Sequence, residues 1–352
     1  MTSLLRSSLP VVLAFAIFHN ISCSSTTRRA VADTYTNPVF EPILADPTVV
    51  RADDGWFYAY GTQDDWGDGH GSRLIPVVKS KDLTGWTYVR NAFDQKPSWK
   101  PKGGIWAPDV VKVNGQYHMY YAFSIWADPD PGIGLAVSSQ PEGPFTDLGK
   151  LFLSSEVKVP NSIDPFFYDE NGKKYLFWGS YSDAPNQGTY VTELTDDGKA
   201  VRNLAEKKKI AAGDFEAVVI HKRGNFYYFI GSRENCCNGA ESKYHLRVGR
   251  SEHLMGPYYD KDGKLLTERG AGTVILEGNE MFAGTGHNSR IITDDKGNDW
   301  TLYHAILKAN PRVPSGANRR VLMLDRIVWK DDWPTIPNQK PEISPQKKPQ
   351  YK

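Results

Sequence analysis

Short runs of apolar residues, many alternating with polar ones, recur along most of the chain and are separated by tight turns. Residues 48–51 (TVVR) and 56–60 (WFYAY) form one such pair, joined by a turn at Asp54-Gly55. Alternation with a period of two is typical of a β-strand, and Asp-Gly between two such runs predicts a hairpin. Patterns with helical periodicity are nearly absent. The sequence therefore predicts an all-β fold.

This strand–turn–strand unit occurs five times. Its starting points lie between 52 and 71 residues apart, which leaves room for two more strands in each unit. Four-stranded units repeated around an axis form a β-propeller. We therefore predict one five-bladed β-propeller domain over residues 35–337. The predicted hairpin turns are Asp54-Gly55, Asn114-Gly115, Asn171-Gly172, Arg223-Gly224 and Lys296-Gly297. Third strands are predicted at 75–81, 133–139 and 245–251, and fourth strands beginning at 143–147 and 256–260.

The two ends of the chain differ from the repeats. Residues 1–23 hold an apolar run, Leu9–Phe18, which is too short to span a bilayer but has the length of a signal-peptide core. The segment ends at Cys23 and resembles a bacterial lipoprotein signal, in which that cysteine is lipidated; ordinary cleavage and release is the alternative. We expect residues 24–34 to be a polar tether and the Pro- and Lys-rich residues 338–352 to be a loose tail.

Composition narrows the partners. The 352 residues include 42 Lys and Arg against 41 Asp and Glu, a net charge of +1, which provides no basic face for nucleic acid. A neutral substrate and a monomeric protein of the bacterial envelope, in the periplasm or at the cell surface, are expected, with membrane contact only through the lipid anchor. Cys236 and Cys237 are adjacent, and either a vicinal disulfide or two free thiols is compatible with the sequence.

Most of the repeats begin with an ionisable residue. These positions hold Asp46, Ala107, Asp164, Glu216 and His287. The first strand of every propeller blade lines the central axis, so the five residues are expected to converge. Buried ionisable groups are unfavourable unless they are paired, hydrated or used, and their common position favours a functional site. The alternative is that each acid only caps its own strand.

Four segments carry a family resemblance. Asp46-Pro47, Ser162–Pro165, Phe215–Ala217 and Trp106–Asp109 are similar to motifs of glycoside hydrolase family 43, five-bladed propellers that include arabinanases and β-xylosidases. The resemblance implies that Asp46 is the general base, that Glu216 is the general acid and that Asp164 tunes the pKa of the acid and orients it. Cleavage with inversion places such carboxyls about 6.5–9.5 Å apart.

Two further stretches resemble the endo-arabinanase branch of that family: Asn235–Gly239 with Tyr244–Ser251, and Gly284–Ser289. The resemblance implies internal cleavage of α-1,5-linked arabinan or arabino-oligosaccharides. It also implies that His287 lies beside a central ion, usually calcium (Ca²⁺), held mostly through water. The expected substrate contacts are Trp106, Ser180 and Arg320.

Two alternatives stay open. The first is an exo-acting α-L-arabinofuranosidase or β-xylosidase on the same fold, which differs in loops around the groove. The second is a propeller that binds sugar without catalysis, which would not need all three acids. Trp126, beside a predicted turn at 128–132 near the groove rim, is a candidate sugar platform, and His304 is expected to be one of several scattered structural or surface histidines.

Overall fold

The structure, a computed structural model, describes residues 33–179, 181 and 184–352. It is built from short strands, with one four-residue helix, α1 (Ser154–Val157), and 3₁₀ turns at Gly239–Glu241 and Pro337–Gln339 within the described residues. None of these helices has the length and hydrophobicity needed to cross a bilayer. The predicted signal segment, Cys23 and the tether up to residue 32 lie outside the described residues.

Five antiparallel sheets form the blades of a propeller, as predicted. The first four sheets each contain four strands, and the fifth has its inner strand split into two pieces. The strands are Thr34–Tyr35 (β1), Thr48–Arg51 (β2), Phe57–Tyr60 (β3), Asp64–Asp65 (β4), Ser72–Arg73 (β5), Pro76–Ser80 (β6), Thr87–Asn91 (β7), Gly104–Val113 (β8), Gln116–Ser124 (β9), Gly132–Ser138 (β10), Thr146–Leu153 (β11), Phe166–Glu170 (β12), Lys173–Gly179 (β13), Thr189–Glu193 (β14), Lys208–Ala211 (β15), Glu216–Arg223 (β16), Phe226–Arg233 (β17), His245–Ser251 (β18), Thr273–Leu276 (β19), Phe282–Gly286 (β20), Ile292–Thr293 (β21), Asp299–Leu307 (β22), Arg320–Lys330 (β23), Trp333–Thr335 (β24) and Gln346–Lys347 (β25).

Blade I consists of β2, β3, β6 and β7, and blades II, III and IV consist of β8–β11, β12–β15 and β16–β19. Blade V runs β20, β22, β23, β24, with β21 also paired to β22. All five predicted hairpin turns lie between the first two strands of a blade. The fourth strand predicted at 256–260 is wrong, because Tyr259 forms only isolated bridges, to Arg250 and Leu265, and the strand that pairs along β18 is β19.

Apolar clusters lie between neighbouring blades and close the ring. Successive residues of a strand point to opposite faces, so adjacent aromatics serve different interfaces. Tyr121 packs toward blade I, whereas Tyr120 packs toward blade III. Each interface is filled by side chains from both blades: Tyr58 with Tyr121, Tyr120 with Trp178, Phe177 with Phe229, Tyr228 with Tyr303, and Leu322 with Phe57.

The C-terminal residues 338–352 do not form the loose tail that their composition suggested. Strand β25 pairs with β1, and Lys348 Nζ lies 3.0 Å from Asp82 Oδ2. The Tyr351 ring packs 4.7 Å from the ring of Phe57, in the cluster between blades V and I. The segment is ordered because β1 offers it unpaired backbone groups and the closing interface offers it apolar surface.

Candidate active site

A cavity of about 680 Å³ opens at one end of the propeller axis. This volume lies within the usual range for small-molecule sites. The structure brings together six of the predicted site residues as its lining: Asp46, Trp106, Asp164, Glu216, His287 and Arg320. The seventh, Ser180, lies outside the described residues.

One residue on or next to the inner strand has a left-handed backbone in every blade. Asp46, Ala107, Asp164 and His287 have φ values of 53°, 43°, 54° and 48°. Such values are unusual for residues other than glycine and are found at functional sites that the surrounding structure holds in place. In blade IV the left-handed residue is Ala217, with φ 56°.

Glu216 therefore lies one position before the left-handed residue of its blade, whereas Asp46, Ala107, Asp164 and His287 are themselves the left-handed residues. This corrects the register predicted from the sequence. A β-bulge lies between Glu216 and Val219 in blade IV and between Trp106 and Asp109 in blade II. In the paired ladders Glu216 is thus equivalent to Trp106. A bulge re-aims the side chains beside it, and Glu216 still lines the common cavity.

Asp46 is surrounded by donors. Thr62 Oγ1 donates to its Oδ2 at 2.5 Å, Arg320 Nη1 lies 3.0 Å from both carboxylate oxygens, and His287 Nδ1 lies 3.2 Å from Oδ1. Burial alone would raise the pKa of Asp46. The charges of Arg320 and His287 outweigh burial and hold that pKa well below its usual range. Asp46 is therefore an ionised carboxylate at neutral pH.

His304, on the second strand of blade V, contacts the backbone of Asp46. The sequence had predicted only a scattered structural or surface histidine. The backbone N–H of Asp46 donates to His304 Nδ1 at 3.1 Å. Because this nitrogen accepts, it cannot also donate to Asp46 Oδ1, 3.3 Å away. Burial lowers the pKa of His304 to about 4, against the opposing effect of Asp46. The imidazole is therefore neutral and fixes the backbone of Asp46.

Glu216 is in the opposite electrostatic state. Burial and the charge of Asp164 raise the pKa of Glu216 to about 8, against a hydrogen bond of 2.6 Å that Tyr244 Oη donates to Oε1. Asp164 Oδ2 accepts the N–H of Ala217 at 3.0 Å. Burial raises the pKa of Asp164 to about 6, with the charge of His287 opposing. Glu216 is thus protonated at neutral pH.

Tyr244 connects the two halves of the site. Its buried ring stacks on the His304 ring at 5.6 Å with 5° between the planes, while its hydroxyl holds Glu216. A protonated Glu216 that accepts this bond on Oε1 carries its proton on Oε2. The hydroxyl therefore selects which oxygen can donate a proton into the cavity.

We expect Tyr244→Phe to lower kcat about tenfold, in the range of a hydrogen bond to an ionisable group. Because the Tyr244 hydrogen bond favours the ionised form of Glu216, its loss raises the pKa of Glu216, and the alkaline limb of the kcat–pH profile moves to higher pH. A pH–rate series measures both effects. An unmoved alkaline limb would separate Tyr244 from the acid.

The axis is closed below the carboxylates. Arg290 Nη2 lies 2.6 Å from Asp109 Oδ2 and donates to the Phe167 carbonyl at 2.6 Å. Its guanidinium also lies 4.1 Å from the centre of the Phe166 ring. These contacts join blades V, II and III, and a small void of about 20 Å³ lies beside Asp164 and His287. The reactive groups therefore face one open end.

His287 is the residue expected beside a cation. Its Nδ1 contacts Asp46, and the charges of the Asp46 and Asp164 carboxylates raise the pKa of His287 against the opposing effect of burial. Among residues 33–179, 181 and 184–352, no group of three or more His, Cys, Asp or Glu side chains could hold a metal ion. Calcium prefers six to eight oxygen ligands. The side chains thus form no protein cage for it, and an ion here would depend on water for most of its ligands.

Apolar surface flanks the acids. The rings of Trp106 and Trp126 lie 5.6 Å apart, and Trp126 is 75% exposed. Cys236 and Cys237 form a disulfide and line the same cavity, which decides between the two states that the sequence left open. Exposed aromatic rings beside polar groups suit a ligand with both apolar and hydroxyl-bearing faces.

One ionised and one protonated carboxyl in a single cavity form an arrangement for general acid–base catalysis. The separation of their protonation states follows from their surroundings: Asp46 has cationic neighbours, whereas Glu216 is buried beside another acid. Cleavage of a glycosidic bond needs such a pair.

Known proteins are similar to this chain in sequence and in fold. It is 31% identical over 306 residues to the extracellular endo-α-(1→5)-L-arabinanase 1 of Bacillus subtilis, covering 83% of this chain and 87% of that protein. It is 30% identical over 319 residues to the extracellular exo-α-(1→5)-L-arabinofuranosidase ArbA of Cellvibrio japonicus, covering 83% and 85%. The solved α-L-arabinanase of Cellvibrio cellulosa, in complex with arabinohexaose, superposes with a TM-score of 0.72 at 27% identity, covering 84% of this chain and 96% of that one. Residues 35–334 match glycosyl hydrolases family 43, and the chain, a glycoside hydrolase, belongs to that family.

Proposed function

We propose that the protein hydrolyses internal α-1,5-L-arabinofuranosidic bonds of arabinan with inversion of the anomeric centre. The observation that carries this proposal is the opposite protonation of Asp46 and Glu216 in one cavity. The arabinan-directed names of the similar proteins support the substrate class.

In the proposed mechanism Glu216 donates its proton to the glycosidic oxygen as the bond to the anomeric carbon breaks. Asp46 accepts a proton from a water molecule whose oxygen attacks that carbon from the opposite face. Asp164 keeps Glu216 protonated through its charge and holds the backbone of Ala217, next to Glu216. Trp106 provides a wall for the sugar at the cleavage point. Arg320 forms an ion pair with Asp46. We therefore propose that its main role is to keep the base ionised and that contact with the substrate is a second role.

Internal cleavage needs a groove that extends past the cleavage point on both sides. The hairpin of β4 and β5 is fixed to the loop between β22 and β23, since Ser315 Oγ donates to the Asp65 carbonyl at 2.7 Å and Gly67 lies against Pro314. Similar proteins are named for both endo and exo action, so product analysis is the deciding experiment.

We expect early digestion of linear arabinan to give mixed oligosaccharides and a rapid fall in viscosity, with an inverted anomer as the first product by proton NMR. Arabinose alone from the start would establish the exo-acting arabinofuranosidase, and xylose release without arabinan cleavage the β-xylosidase. Binding of arabinan without any hydrolysis would establish the non-catalytic propeller.

We further propose that His287 holds a hydrated Ca²⁺. The cluster of acids around His287 supports a cation there, although protonated His287 itself offers a competing positive charge. The proposal is tested by dialysing the protein against a calcium buffer and measuring its calcium content by elemental analysis. We expect about one calcium ion per chain in the wild-type protein and none in His287→Gln. Calcium-free protein after dialysis would overturn it.

We also propose secretion and lipid anchoring at Cys23 of a monomeric envelope protein. The extracellular relatives support secretion. Mass spectrometry of the mature N-terminal peptide tests the anchor, since a peptide beginning at any residue other than a lipidated Cys23 contradicts it. Light scattering after size exclusion tests the monomer.

A further inference from the structure

The disulfide Cys236–Cys237 lines the cavity but takes no part in the acid–base chemistry described above. It lies in the loop that follows β17. Within that sheet Ser232 is paired with Glu216, so the loop begins directly beside the general acid. Both cysteines are half-buried and present part of their surface to the cavity.

Hydrogen bonds hold this loop in one position. Asn318 Nδ2 donates to the Cys237 carbonyl at 3.2 Å, and Asn318 Oδ1 accepts the N–H of Gly239 at 3.0 Å. From within the loop, Ser242 Oγ donates to the Asn235 carbonyl at 2.6 Å. The disulfide is thus a fixed surface, braced by a residue from blade V.

The chemistry of that surface suits a sugar ring. A disulfide carries no charge. Like the sulfur of methionine, it is apolar and polarisable. Glu234 and Asn235 also line the cavity and offer hydrogen-bonding groups beside it. The other apolar patch, Trp106 with Trp126, belongs to blade II, so the cavity has apolar surface from two different blades.

The position of the general acid decides which sugar would meet the disulfide. Glu216 protonates the oxygen of the leaving group, so the sugar on its side of the cleaved bond is the leaving sugar. We propose that the Cys236–Cys237 disulfide is a wall of the subsite that binds the first arabinofuranose on the leaving-group side. This inference rests on the proposed function, and it deepens that function by assigning a subsite.

Two substrates separate this role from a general structural one. Arabinotriose places a sugar in the leaving-group subsite. The leaving group of α-L-arabinofuranosyl fluoride is a fluoride ion, so this substrate leaves the subsite without a sugar. In the double variant C236S/C237S we expect kcat/KM on arabinotriose to fall about tenfold, the scale of one lost apolar contact. On the fluoride we expect no change. Wild-type enzyme treated with dithiothreitol should behave in the same way.

The double variant is the matched control for the reductant, since dithiothreitol should leave its rates unchanged. Asn318→Ala is a second variant that keeps the disulfide but loosens the loop, and it should show a smaller loss confined to arabinotriose. Equal losses on both substrates, or no loss on either, would overturn the inference. Failure of the wild-type enzyme on arabinotriose and on arabinan would instead overturn the proposed function, and the subsite with it.

Discussion

Replacement of Glu216 by Gln is expected to lower kcat on linear arabinan by roughly 10²–10⁴-fold, the usual contribution of a positioned general acid. The amide keeps the shape of the side chain and can still accept the hydrogen bond from Tyr244. It cannot transfer a proton to the leaving oxygen. Measurement of kcat and KM on arabinan at neutral pH, with the melting temperature as a check of folding, tests the expectation.

A second substrate, with a better leaving group, supplies a control for this variant. Fluoride leaves with little need for protonation, so hydrolysis of α-L-arabinofuranosyl fluoride should be much less affected than hydrolysis of arabinan. Glu170→Gln is a matched change at the hairpin end of β12, where Glu170 bonds Lys222 and Tyr227, and it should leave both rates near the wild-type values. Comparable losses on arabinan and on the fluoride would remove Glu216 from the role of acid.

The sequence was sufficient for the blades because each blade repeats a local signal. Alternating apolar residues and a turn that ends in glycine depend only on near neighbours in the chain, and the structure has a hairpin at every predicted turn. Convergence of Asp46, Asp164 and Glu216 followed from that repetition, since equivalent strands of a propeller meet at its axis. The prediction that they share a cavity is confirmed.

The groups that set protonation were not predictable in this way. Thr62 follows the second strand of blade I, His304 lies on the second strand of blade V and Tyr244 just before the third strand of blade IV. Their contacts depend on the register between strands. Gly286 pairs with His304, so the register of the hairpin around His287 places this histidine across the ladder. The bulge at Glu216 left no signal in the sequence pattern, since a single inserted residue still fits an apolar run.

Composition was misleading at the C-terminus. Residues 338–352 are rich in Pro and Lys, which usually indicates an unpacked segment, yet Tyr351 enters the cluster that joins blades V and I. A propeller must join its last blade to its first, and residues near both chain ends contribute to that interface, among them Tyr35 and Tyr351. The topology of the ring, rather than the local sequence, explains why this segment is packed.

Replacement of Asp46 by Gly is expected to lower kcat on arabinotriose by roughly 10²–10⁴-fold, because no base then accepts the proton of the attacking water. Glycine adopts the left-handed backbone of this position, with φ 53° in the native residue, without strain. The change leaves Arg320 and His287 facing a space the size of the lost carboxylate. The Arg320 guanidinium beside such a space forms a site for a small anion.

Added azide should therefore restore turnover of Asp46→Gly. Azide attacks the anomeric carbon from the side that water normally uses, Glu216 protonates the departing oxygen, and the product is an arabinofuranosyl azide of inverted configuration. Asp46→Asn is the matched control, because its amide fills the space, and azide should not rescue it. Proton NMR of the azide adduct gives the configuration. An adduct with retained configuration, or equal rescue of Asp46→Asn, would show that Asp46 does not stand on the side of the attacking water.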